Sequence, residues 1–245
     1  MTEPSAKPPA GAPVGLTITV IIAFCILISL GVWQLQRLKW KEGLLARIAA
    51  LQAAPSQPIG PVLDRLSGGA DVGYTRVTVV CPGLAKARFL QLYGLKDGEP
   101  GQRLVSACAL ASGPYGSILV DRGFIDDQVK ARPPVDPADR TPLELTGVLR
   151  MPDKPTFVTP ANEPASNHWY SRDVPAMAKM LDAPRPAPVF LMAETATNPD
   201  WPQLTPAPVP TDIPNRHFEY ALTWFGLAAA LIGVYAAQLW NRRKG

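Results

Sequence analysis

Two apolar runs, one at each end of the 245-residue chain, restrict its fold more than any other feature. From Val14 to Trp33 the sequence reads VGLTITVIIAFCILISLGVW, and no charge stands between Lys7 and Arg37. From Phe218 to Trp240 the sole charge is Glu219, at the very edge. A bilayer needs about 20 apolar residues to be crossed by a helix. Neither run has room in a soluble core without stripping the middle of the chain of its own. The sequence therefore predicts a membrane protein with two transmembrane α-helices flanking an extracytoplasmic α+β, mostly β domain.

Within that plan the chain divides by composition. Residues 1–13, rich in Pro, Ala and Gly, read as a disordered cytoplasmic tail. Residues 14–35 are the first transmembrane helix, kept as an anchor because no A-x-A cleavage site follows the apolar run. KWKEGLLARIAALQ keeps helical spacing through Trp40, Leu44, Ile48 and Leu51, so 36–54 extends that helix out of the membrane. Residues 55–198 form the domain, 199–216 a proline-rich strap, 217–240 the second transmembrane helix and 241–245 a basic cytoplasmic tail. The NRRK tail votes for a cytoplasmic end, whereas Arg37, Lys39, Lys41 and Arg47 vote the other way. Long loops cross regardless of charge, so both ends are expected inside and the domain outside. The tail lacks the arginines of a mitochondrial targeting peptide, and a bacterial inner membrane is the simpler setting.

The domain reads as strands punctuated by Gly, Pro and Asp turns: YTRVTVVC, RFLQLYG, RLVSACAL, SILVDRGFI, LELTGVLR and APVFLMA. One helix interrupts them in SRDVPAMAKMLD, with Asp173 as its cap and Val174, Met177 and Leu181 on one face. The six prolines of NPDWPQLTPAPVPTDIPN favour an extended strap toward the membrane. Asp121 and Arg122, adjacent on their strand, are read as a structural pair, the alternative being a docking point.

Few chemistries are signalled. The net charge of +4 comes from scattered or span-flanking residues, so nucleic acid is not an expected partner, whereas the lipid bilayer is. No G-x-S-x-G, P-loop, H-E-x-x-H or G-x-G-x-x-G occurs, and nothing asks for an enzyme. Cys25 lies in the first span. A Cys81–Cys108 disulfide is open to the chain in an oxidising compartment, the alternative being two small buried apolar residues. The chain has two histidines. His168 reads as a surface loop residue. His217 stands at the mouth of the second span, with Tyr220, Ala221 and Trp224 on the same side at three, four and seven residues on. Its imidazole suits axial ligation of a haem iron, over an aromatic and small-residue face. An interfacial histidine in an aromatic belt is the alternative.

Five stretches in order resemble the surfeit locus proteins, which assist cytochrome c oxidase assembly. GVWQLQRLKWK is similar to the family's G-x-W-Q-x-x-R-x-x-W-K, and YTRVTV, ILVDRGFI and NHWYSRDVPAMA resemble further family stretches. NRHFEYALTWFGLA is similar to Asn-x-His-x-x-Tyr-x-x-Thr-Trp-(Phe/Tyr)-x-Leu at the second span. Asp126 stands where the family has a proline, and the pattern near Thr75 and Arg76 is altered. The resemblance implies a non-enzymatic assembly factor that binds haem a, or haem b, at the membrane interface and aids delivery to cytochrome c oxidase subunit I. It implies haem A synthase as a further partner. By motif His217 is the metal ligand, with Tyr220, Thr223 and Trp224 beside it. The competing reading is a cofactor-free membrane scaffold that binds oxidase subunits during assembly.

Overall fold

The computed structural model describes residues 14–152, 155–207 and 215–244. The expected tail over 1–13 and part of the expected strap lie outside them. The chain forms two compact units, one from the two ends and one from residues 48–211.

In the first unit, helix α1 runs unbroken through Val14–Ala53 and α4 through His217–Lys244. Each contains a stretch long and apolar enough to cross a membrane. They lie antiparallel, because Gln34 meets His217 while Thr17 bonds Tyr235 some 17 residues away along α1. On α4, Ala221 and Ala228 are buried, and Trp224, Leu231 and Tyr235 are half-buried. That alternating spacing of three and four is the seam of paired helices. Gly31 makes the seam close: a Cβ there would fall 2.4 Å from the Phe225 ring. Outside the seam the helices expose Ile18, Ile21, Ile22, Ile26, Leu222, Leu227 and Val234. Hydroxyls in this apolar setting bond back to their own helix, as Ser29 does to the Cys25 carbonyl and Thr223 to that of Glu219.

The second unit is a mixed sheet with small helices on both faces. Its strands are β1 Gln57–Pro58, β2 Arg76–Pro82, β3 Leu90–Lys96, β4 Glu99–Ala109, β5 Ser117–Asp126, β6 Pro142–Arg150, β7 His168–Trp169 and β8 Pro186–Ala193. They lie in the order β1-β2-β6-β8-β5-β4-β3-β7. The β1/β2, β5/β8 and β3/β7 pairs are parallel and the rest antiparallel. Strand β5 is buried along all but its last residue, as a central strand covered on both sides must be. Alternation sends Ile118 and Val120 to one face, with Val189 and Leu191 of β8, where helix α2 Ile59–Ser67 covers them with Val62 and Leu63. Leu119 and Phe190 go to the other face, against Trp169 and helix α3 Val174–Met180. Asp173 caps α3 by accepting from the Ala176 N–H, as the sequence implied.

Cys81 on β2 and Cys108 on β4 are bonded to each other, and both are buried. Three strands separate β2 from β4 in the sheet, so the disulfide marks where the sheet curls back on itself around the α2-side core. The two alternatives for these cysteines are thus both realised, since they are bonded and buried together. Replacing both with alanine is expected to lower stability by about 3.5 kcal/mol, the chain-entropy value for a 27-residue separation. Denaturant unfolding of the detergent-solubilised chain under oxidising and reducing conditions measures it. The variant should match the reduced wild type.

Asp121 and Arg122 do not pair with each other, contrary to expectation, because neighbours on a strand point to opposite faces. Asp121, fully buried, accepts from Arg103 Nε at 2.6 Å and from Arg172 at 2.9 Å, both on Oδ2. Arg122 is equally buried and reaches the other way, donating to the carbonyls of Ala85 and Ala87 and holding the short 3-10 turn Leu84–Lys86. Burial pulls its guanidinium down to about 10, which leaves it cationic at neutral pH.

The expected strap begins on the domain itself. Phe124 and Thr205 exchange backbone hydrogen bonds at 2.8 and 3.0 Å, Arg103 donates to the Ala207 carbonyl, and Leu204 packs with Leu104 and Ile125. Residues 201–207 are therefore part of the fold.

Candidate functional site

His217 is the first residue of α4. Asn215 and Arg216 precede it, and the first turn of α4 is carried on from there by a backbone bond from Tyr220 to the Arg216 carbonyl. The imidazole is half-buried at the head of the helix seam. Its Nδ1 lies 2.8 Å from Oε1 of Gln34 on α1. Asn215 Oδ1, two residues earlier, is buried and has no hydrogen-bond partner among the described residues.

The other residues expected beside His217 divide between two directions. Ala221 is buried and Trp224 half-buried, on the side that meets α1, whereas Tyr220 is 54% exposed. At 100° per residue Tyr220 falls about 60° round the helix from His217, on the side away from the buried Ala221. Thr223 spends its hydroxyl on the Glu219 carbonyl. His168, by contrast, is an exposed residue of β7 with its ring 4.0 Å from Glu163.

Gln34 is the member of the site that sequence reasoning missed. It sits in the quoted Trp-Gln motif at the end of the first apolar run, an amide three residues before the first charge. Its role depends on which helix faces it, and single-helix periodicity carries no such information.

The donor set limits what the site can hold. Among the described residues no three His, Cys, Asp or Glu side chains converge. A metal held at His217 would have to bring its remaining ligands with it, as the iron of a macrocycle does. One imidazole nitrogen engaged by an amide, and the other without a hydrogen bond among the described residues, fits an axial ligand of that kind. Aromatic and basic side chains pair near one end of each apolar stretch: Arg37 lies 4.1 Å from the Trp40 ring centroid and Lys244 4.9 Å from that of Trp240. His217 to Trp240 spans about 35 Å at 1.5 Å per residue, enough to traverse the hydrocarbon.

Comparison with known proteins places these features in one group. The model of the SURF1 family matches residues 21–229, a stretch that includes Gln34, the whole β domain and His217. The chain belongs to the SURF1 family. A SURF1-like protein of Rickettsia felis is 32% identical over 223 residues, covering 89% of this chain and 94% of that protein. Surfeit locus protein 1 of Gallus gallus is 30% identical over 251 residues, covering 94% and 74%. Surfeit locus protein 1 of Homo sapiens is 30% identical over 224 residues, covering 82% and 70%. The shared SURF1 stretch thus reaches across both compact units, and the resemblance read from five short motifs was a family membership.

Proposed function

We propose that this SURF1 family member is a two-span membrane protein that assists cytochrome c oxidase assembly. It binds haem a at the membrane interface through His217 and aids its delivery to subunit I. The observation that carries the reading is the state of the His217 imidazole. It stands at the head of an apolar helix pair, with Nδ1 engaged by Gln34 and Nε2 without a hydrogen bond among the described residues. Haem, when bound, supplies the iron and an amphiphilic ring that partitions to this depth.

The chain's own residues do the rest. His217 offers one nitrogen, which is enough to hold the macrocycle and too little to keep it from an acceptor with two histidines. Trp224, half-buried two turns below, would give aromatic surface to the macrocycle, and Tyr220 is exposed away from the seam. Only the iron–imidazole bond is exchanged in this role and the haem itself is not altered, so the proposed role is that of a carrier and not an enzyme. Haem A synthase is the partner that supplies the cargo. The Cys81–Cys108 disulfide supports a domain facing an oxidising compartment, and bacterial relatives support the periplasmic side of an inner membrane.

A cofactor-free scaffold for oxidase subunits is the second reading. Its support is an apolar hollow of about 520 Å³ between α1 and α4, with the small residues Ala23 and Ala230 in its lining, where a partner span could pack. Cells lacking their own factor separate the two readings. His217→Ala, present at the wild-type level in the membrane, is expected to leave the oxidase deficient in haem a. An oxidase with its full haem complement would favour the scaffold.

A further inference from the structure

We infer that Gln34 is the positioning residue for His217: its amide oxygen holds the imidazole as the Nδ1–H tautomer and so aims a free Nε2 lone pair outward. The inference rests on the haem reading above and adds to it the residue that prepares the ligand.

A neutral imidazole carries one proton on two nitrogens, and the partner of one nitrogen decides the state of the other. The Gln34 carbonyl oxygen, at 2.8 Å from Nδ1, can only accept. Nδ1 must then donate, and Nε2 is left as the acceptor nitrogen that a metal requires. Metal-binding histidines almost always donate their second N–H to such a partner, and loss of the partner typically lowers metal affinity about 10–100-fold. Both side chains are half-buried at the helix seam, where water competes less for the bond. Gly31, one turn below Gln34, lets the Phe225 ring lie against α1 and fixes how closely the helices approach. The ligand is on α4, but its protonation state is set from α1. A glutamine, unlike a carboxylate, polarises the imidazole without charging it, which suits a site that must let its cargo go.

The test uses the full chain in detergent micelles with ¹⁵N-labelled histidine, at a pH above the imidazole titration. Only two histidines are present, and His168→Gln assigns them. Wild-type His217 should show a protonated Nδ1 and a lone-pair Nε2. Gln34→Leu should mix the tautomers and weaken haem a binding about 10–100-fold. Gln34→Glu keeps an acceptor, so it should keep the Nδ1–H tautomer and tight binding, and raise the iron–histidine stretching frequency. A protonated Nε2 in the wild type would mean the amide donates instead, and the inference is wrong. It is equally wrong if Leu and Glu behave alike, because packing alone would then explain the contact. If the wild type takes up no haem a, the haem reading fails, while the tautomer still decides the role of Gln34.

Discussion

Asp121→Ala is expected to lower the stability of the β domain by about 3–5 kcal/mol, the usual result of removing one partner from a buried ion pair. Asp121 is wholly buried, and its Oδ2 accepts from both Arg103 and Arg172. Those guanidiniums have side chains only 12% exposed, so neither can turn to water when the carboxylate is gone. The triad also joins distant pieces of chain. Arg103 is on β4 and holds the Ala207 carbonyl, and Arg172 leads into α3. Because a domain has about 5–15 kcal/mol in hand, the variant should be unfolded or close to it at 37 °C. Asp121→Asn, which keeps an acceptor oxygen but no charge, should lose distinctly less. Equilibrium denaturation of the three proteins measures the difference. Equal stability of Asp121→Ala and wild type would mean the triad contributes nothing.

Gly123→Ala should be the most damaging change at a glycine, at about 3 kcal/mol, from left-handed strain and lost apolar burial together. Gly123 has φ of +130°, and a Cβ there would fall 2.3 Å from the Thr205 carbonyl oxygen. The methyl group cannot coexist with the Phe124–Thr205 bonds. The segment 201–207 must then lift away, and Leu204 leaves Leu104 and Ile125. Proteolysis should therefore cut within 201–207 in the variant and spare it in the wild type. Protection of that segment in Gly123→Ala would contradict the account. The returning chain lies directly on this glycine, which is why no side chain fits there.

What the sequence disclosed follows the range of the interactions. The apolar runs, the six longer strands and α3 with its Asp173 cap depend on neighbours within a few residues, and the structure has them where the patterns put them. Helix α2 went unforeseen because Pro55, Pro58 and Pro61 look like breakers. Pro61 sits in the first turn, where a missing N–H loses nothing. The true partners of Asp121 are 18 and 51 residues away, and the disulfide joins cysteines 27 apart with no motif between them. Such pairings exist only once the sheet has curled. The same holds at the site. His217 was visible as a lone imidazole at a span mouth, while Gln34, 183 residues earlier, became its partner only through the antiparallel pairing of two helices.

The most direct measurement is an absorption spectrum of the detergent-purified chain, produced alongside a haem A-producing pathway, with His217→Ala beside it. Wild type should carry a haem a band and the variant should lack it, at equal protein yield. A band of equal strength in both would show that His217 is not the ligand, and the proposed carrier role through this site would fall.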